Sequence, residues 1–458
     1  MHQPQEIWIS GLAGEAPRKL VAAEKDQRTA NPVWSPDGRW IAYWHGKLRG
    51  PQSLETSIEI LPATGGSPKS LVSESDLPSP GTLACPPFGC LNWSPDWNLS
   101  VTVEESQPSS GESKWSLWQI HANPADGFSS QKPRRLTQPS DFIPLSMTTT
   151  ADGKILAFTR VRVNQDIYVG ELDQQSVALK APRRLSLDNH DSMPEAWTHD
   201  SRNLLFVSNR DGMWELFKQG LHDSVPERIV SNAQRRLGSG NGLSPDGAWI
   251  LYWEFALPNG KDSPAKGWLM RQRTAGGAPE TVLELPPGAA DIQFACPLKP
   301  AKSCVMSDWD ENTLRFYALD PLHGKGDQLS KIELDRHWAT AWALSPDGSQ
   351  LAVVDHSHKD RVEIFTLSNQ AWHELSVEPG WGDFQSVVWA ADEKGFFLTT
   401  YLPESFNLVR VATTGKAQLL LNYARRQWMT QPLPSPDGQY LAFQTQTADS
   451  NIWLVEHF

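Results

Sequence analysis

Apolar and polar positions along this chain sort into short strand-length runs separated by turn residues, and the cleanest instance is Asn31 to Trp44, NPVWSPDGRWIAYW. Pro36 presets φ for the first corner of a type I turn, Asp37 can bond back to local backbone, and Gly38 suits the left-handed position that closes a bulged hairpin. Beyond the turn, Trp40, Ala42 and Trp44 alternate with Arg39, Ile41 and Tyr43. That aromatic and β-branched bias predicts a strand covered on both faces rather than one with a wet face.

The unit returns along the whole length. Turns fall at Asp37-Gly38, Asp96-Trp97, Asp152-Gly153, Asp200-Ser201, Asp246-Gly247, a variant between Pro297 and Ser303, Asp347-Gly348, Asp392 to Gly395, and Asp437-Gly438. Their spacing of about 45 to 60 residues is the period of propeller blades. Between them run strands such as DIYVGEL (Asp166 to Leu172), VEIFTLS (Val362 to Ser368) and NIWLVE (Asn451 to Glu456). Short basic-then-apolar strands follow most of these: RKLV from Arg18, RRLT from Arg134, RRLS from Arg183 and ERIV from Glu227. Two hairpin strands plus these two make a four-stranded antiparallel blade, which cannot bury both faces alone and must stack radially.

The expected fold is therefore all-β, a propeller of about eight blades within a range of seven to nine, as a single array over residues 1–458. The amino terminus starts with the last two strand types of a blade and the carboxy terminus stops after three, so RKLV could complete the final blade as a clasp. EIWISG then duplicates NIWLVE, which suggests that the chain is truncated at its amino end. Trp97 in place of glycine predicts a different turn at Ser94 to Asn98, and the acidic stretch Val103 to Lys114 reads as a surface loop.

The repeated WSPDG pattern with a following D-I-Y/W-V strand resembles the TolB-type WD-repeat-like family. Segments such as DNHDSMPEAWTHDSRNLLFVSNRDG (Asp188 to Gly212) and RRQWMTQPLPSPDGQYLAF (Arg425 to Phe443) are similar to the carboxy-terminal propellers of soil-bacterial serine/threonine kinases or winged-helix regulators. The resemblance implies a fold that hosts binding, scaffolding and catalysis alike, so it leaves function open. It also implies a kinase or winged-helix domain upstream in the full-length protein.

Composition agrees with many short strands: 39% hydrophobic residues with 21 Trp, and 35 Pro with 32 Gly. A formal charge of −12 argues against a nucleic-acid partner, whose footprint is basic. No apolar run reaches the roughly 20 residues of a membrane-spanning helix. Catalysis is not expected. GSGNG at Gly238 to Gly242 is not a G-x-S-x-G elbow, and the chain carries no H-R-D or D-F-G motif. No cofactor is expected, and DHSHKD (Asp355, His356, His358, Asp360) reads as a solvated loop rather than a metal site. The acidic run Asp308, Asp310, Glu311 lacks an EF-hand's glycine and final glutamate, so it too reads as turn chemistry.

Four cysteines form two local pairs, Cys85 with Cys90 and Cys296 with Cys304. Oxidised, they would be disulfides and place the chain outside the cytoplasm, in the periplasm; reduced and buried, they would fit the cytoplasm.

The function expected is a non-catalytic binding module for a protein or small ligand, the sensory or interaction part of a larger bacterial signalling protein. The alternative is a scaffold, or the gating propeller of an enzyme such as a prolyl-oligopeptidase-like peptidase whose catalytic domain is absent. A partner would be met where the last strand of one blade leads to the first of the next. Those loops carry His190 and Asp191, His337 and Trp338, Trp381, and Arg425, Arg426 and Trp428, residue types that dominate binding energy once desolvated. In the plainer reading the tryptophans pack between blades and the arginines pair with carboxylates.

Overall fold

A computed structural model describes residues 6–456 except 12–15, 23, 25–26, 49–53, 78–80, 85–88, 107–112, 124, 126–130, 174–177, 189, 232–234, 239, 257–265, 287–291, 299–302, 311, 335–339, 356–359 and 425–431. The described residues form antiparallel strands with one 3-10 turn at Glu74–Asp76 and no α-helix. Eight of their nine sheets have four to six strands, in keeping with the expected blade count. The chain falls into two compact units, residues 1–163 with 448–458, and residues 164–447.

Local chemistry explains why the turns recur. In the first copy Ser35 Oγ donates to Asp37 Oδ1 at 2.7 Å and accepts from the Trp40 N–H at 3.0 Å, while Asp37 Oδ1 accepts from the Arg39 N–H at 3.1 Å. Gly38 sits at φ 70°. The same pattern returns at Ser345 with Asp347 and at Ser435 with Asp437, and threonine replaces serine at Thr150 and Thr198. The variant turn does not differ as expected. Trp97 takes the left-handed position at φ 68°, and its ring meets Trp93 edge-on at 5.8 Å, a contact that offsets the strain. Nor does the loop begin at Val103. Strand Asn98–Ser106 pairs through Val103, Glu104 and Glu105 with Ser113–His121, because Val103 is buried and Glu105 is bonded to Ser116 and Arg135.

The second unit contains six blades. Blade A comprises Ser192–Trp197, Asn203–Ser208, Glu215–Gly220 and Glu227–Val230; blade B comprises Arg235–Leu237 with Gly242–Leu243, then Trp249–Ala256, Gly267–Arg273 and Glu280–Leu285. Blade C is Gln293–Ala295, Cys304–Asp310, Thr313–Asp320 and Gly324–Glu333; blade D is Thr340–Leu344, Gln350–Asp355, Arg361–Thr366 and Ala371–Ser376. Blade E runs Asp383–Trp389, Gly395–Leu402, Ser405–Ala412 and Ala417–Ala424. Blade F joins both ends of the unit: Leu433–Pro434 and the start of strand Tyr440–Glu456, beside the end of strand Ile155–Asp173 and Arg183–Arg184.

Period-two alternation closes this circuit. Leu204 and Phe206 of blade A face Ile167, Val169 and Ala442 of blade F, whereas Leu205 and Val207 face Ile250 and Tyr252 of blade B. Leu251 and Trp253 then meet Cys304 and Met306; Val305 meets Leu351 and Val353; Ala352 and Val354 meet Phe396 and Leu398; Phe397 meets Leu441 and Phe443. Six blades thus share six apolar interfaces, each strand giving its odd residues to one neighbour and its even residues to the other. The clasp is not made by RKLV. Arg18–Ala22 lies against Glu6–Ile9, and the closing strands are Ile155–Asp173 and Tyr440–Glu456.

The first unit is a row of four sheets: Glu6–Ile9 with Arg18–Ala22; then Gln27–Trp34, Trp40–Leu48, Leu54–Pro62 and Lys69–Ser73; then a sheet built on Asn98–Ser106 and Ser113–His121; then Ile143–Thr149 with the start of Ile155–Asp173 and the end of Tyr440–Glu456. Ile41 and Tyr43 face Ile7 and Val21, while Ala42 and Trp44 face Leu99 and Val101, so the strand after the first turn is covered on both faces as its pattern predicts.

Candidate binding site at the inner strands

The first strand of each blade lies at an edge of its sheet, and in the second unit the first strands of blades F and A, of A and B, and of D and E lie beside one another. These edges form the inner lining. In two of them the register slips by a bulge, at Pro194/Ala196 and at Phe384/Ser386, leaving Glu195 and Gln385 outside the regular pairing. Bulges of this kind re-aim a side chain. Glu195 is turned toward the next blade, where its Oε2 accepts the backbone N–H groups of Gly240 and Asn241, both at 2.7 Å. Burial pushes its carboxyl up to about 8, although both donors act in the opposite direction.

Asn241 holds the receiving loop. Its side chain donates to the Gly238 carbonyl at 2.9 Å and accepts from the Trp253 N–H at 3.1 Å. Gly240 and Asn241 of GSGNG thus present two N–H groups to a neighbouring carboxyl. The first unit has a counterpart: Asn31, at a slip between Ala30 and Val33, accepts the Gly89 N–H at 2.9 Å. Sequence reasoning missed Glu195, and its one signal was a charged residue inside an inner strand that otherwise reads as apolar and small.

His190, Asp191 and Trp381 all precede inner strands. His190 is exposed, its N–H donating to Asp188 Oδ1 at 3.2 Å. Asp191 is a tie: its Oδ1 accepts the Gln165 N–H at 2.9 Å and its own N–H donates to Asn209 Oδ1 at 3.0 Å. Trp381 is half-buried against the cluster between blades D and E. His337, Trp338, Arg425, Arg426 and Trp428 lie outside the described residues, as do His356 and His358. Among the described residues no group of three or more His, Cys, Asp or Glu side chains could hold a metal ion.

The basic-then-apolar strands acquire a role here. The second residue of each meets an acid on the strand it pairs with: Lys19 to Glu6 at 2.5 Å, Arg184 to Asp166 at 2.5 Å, Arg228 to Glu215 at 3.5 Å. These pairs fasten outer strands rather than build a ligand site. Cys296 and Cys304 form a disulfide across the first two strands of blade C, with Cα atoms 4.2 Å apart. Cys90 is also disulfide-bonded, and Cys85 lies outside the described residues.

One place combines serine, histidine and carboxylate. Ser57 Oγ lies 3.5 Å from His45 Nδ1, and Glu59 Oε1 lies 3.3 Å from the same nitrogen. A proton relay needs its acid and its nucleophile on opposite ring nitrogens, so this cluster is not one.

No protein-family model matches the chain, and no curated protein matches it. Among solved structures, the chain is similar to a TolB protein of Agrobacterium tumefaciens, at 14% identity and a TM-score of 0.46 over 62% of this chain and 99% of that one. It is similar to TolB of Acinetobacter baumannii at 14% identity and a TM-score of 0.42, over 76% of this chain and 79% of that one. The tricorn protease is a further neighbour, at 14% identity and a TM-score of 0.27, over 98% of this chain and 42% of that one.

Proposed function

We propose that this chain is a non-catalytic β-propeller binding module, the sensory or interaction part of a larger bacterial regulatory protein. It takes a protein or small ligand at the inner lining of the second unit. The observation that carries this reading is Glu195, a carboxyl lifted out of strand pairing and held between two blades where a ring built on apolar interfaces would otherwise need none. His190, exposed just ahead of the strand that carries Glu195, adds a polar side chain. The oxidised Cys296–Cys304 pair supports an extracytoplasmic location, the periplasm in a Gram-negative cell.

The test is a thermal-shift screen of small metabolites and short peptides, followed by calorimetry of any hit on the wild type and on a His190→Ala, Arg426→Ala, Trp428→Ala variant. Binding should weaken by more than ~2 kcal/mol while the unfolding midpoint stays unchanged. Undiminished affinity, or a large loss of thermal stability, would show these residues to be blade packing.

A further inference from the structure

In the last sheet of the first unit, burial fades along one face of strand Ile155–Asp173. Leu156 and Phe158 are buried against Leu117, and two residues further on, at the rim of that interface, stands the half-buried Arg160. The neighbouring strands each bring it an aromatic ring. Arg160 pairs with Pro144, so Phe142 lies just ahead of its partner on one side. On the other side strand Tyr440–Glu456 carries Trp453, two residues from Val455, which packs against the Leu117 cluster. The guanidinium carbon of Arg160 is 3.6 Å from the Phe142 ring centroid and 4.3 Å from that of Trp453, both within the roughly 6 Å of a cation–π contact. The chain ahead of Phe142 is pinned, because Trp115 and Ser140 exchange backbone hydrogen bonds at 2.7 and 2.9 Å.

Other arginines of this chain meet carboxylates: Arg135 meets Glu105, Arg235 meets Glu254 at 2.9 Å, and Arg315 meets Asp308 at 2.8 Å. Acids are plentiful, 53 against 41 Lys and Arg. Yet among the described residues Arg160 makes ring contacts and no hydrogen bond or ion pair. Rings can take the place of water over its faces, but its five N–H donors lie in the guanidinium plane, where stacking does not satisfy them. A planar monoanion set against that edge would form a bidentate, charge-assisted pair. Trp453, 47% exposed, offers an apolar surface next to it. A doubly charged phosphate calls for more positive charge than one guanidinium supplies in a chain of net charge −12.

We propose that Arg160, held by Phe142 and Trp453, anchors a second binding site, which takes a peptide carboxylate carried next to an apolar group, at the C-terminus or on an acidic side chain. This site lies in the first unit and does not depend on the inner lining of the second.

Titration of isotope-labelled protein with N-acetylphenylalanine, read at the Trp453 indole resonance as identified with Trp453→Phe, tests this. A saturable shift is expected below about 10 mM, with binding about tenfold weaker or more for N-acetylphenylalanine amide and for inorganic phosphate. Arg160→Lys keeps the charge and loses the fork, so it should weaken binding by a similar factor at an unchanged unfolding midpoint. N-acetyl-aspartyl-phenylalanine amide carries its carboxylate on a side chain, and whichever of the two acids binds tighter identifies the source. The His190→Ala, Arg426→Ala, Trp428→Ala variant should bind the probe as the wild type does, which separates this site from the one proposed above. If Arg160→Lys unfolds, the comparison of acid with amide on the wild type decides. No saturable shift, equal binding of acid and amide, tighter binding of phosphate, undiminished binding by folded Arg160→Lys, or loss of binding in the triple variant would each overturn the proposal.

Discussion

Glu195 shows how one side chain can be set apart by its backbone. The register slip at Pro194/Ala196 lifts it out of the ladder, and two N–H groups of the next blade receive it. Its carboxyl titrates at about 8 when folded against 4.5 when not. Between those values the unfolded chain sheds its proton first, so folding stability falls as pH rises through this window and levels off above it. A Glu195→Gln variant keeps a side-chain carbonyl for the same N–H groups and does not titrate at this position. Relative to the wild type it should gain more than about 1 kcal/mol between roughly pH 5 and pH 8.5, read by urea unfolding at each pH. Equal pH slopes in both proteins would mean that the carboxyl is better hydrated than its position implies.

At the scale of an element, the paired acid and base at the third and fourth strands explain a recurrent sequence signature. Asp166 is 3% exposed and keeps a raised pKa because burial outweighs Arg184 beside it. The Asp166–Arg184 pair fixes the register of a strand only two residues long, Arg183–Arg184, which has few backbone bonds of its own. Removing the cation leaves a buried carboxyl without its charge partner, so Arg184→Ala should cost about 2–3 kcal/mol, at the low end for buried pairs because Arg184 is partly in water. Thermal unfolding of Arg184→Ala and of Lys180→Ala, whose pair with Glu171 is exposed, separates the two cases; the latter should leave the unfolding midpoint unchanged.

At the scale of the molecule, closure of the second unit rests on a blade assembled from distant parts of the chain. Leu441 and Phe443 cover blade E, and Ala442 covers blade A. A chain ending at Pro434 would uncover Phe397 on one side and Leu204 and Phe206 on the other. Cooperative thermal unfolding of the second unit and its near-ultraviolet dichroism should both be lost, whereas a chain ending at Thr447 should retain them. Retention of a cooperative transition without residues 435–447 would show that the six interfaces are not mutually required.

Much of this was legible in the sequence. The S-P-D-G turns were, because proline, aspartate and glycine each satisfy a local backbone demand that no distant contact can alter. So was burial of the following strands on both faces, since a run such as WIAYW has no wet side. The serine's part in the turn was hidden, because its hydroxyl serves an N–H five residues on. Trp97 was misread for a related reason: its strain is local, but the Trp93 ring that offsets it is known only from packing. The identity of the closing strands, the alliance of Glu195 with Gly240 and Asn241, and the division of the repeats into two compact units all depend on which distant strands meet. Period-two alternation says that a strand needs two neighbours; only the tertiary structure says which ones it has.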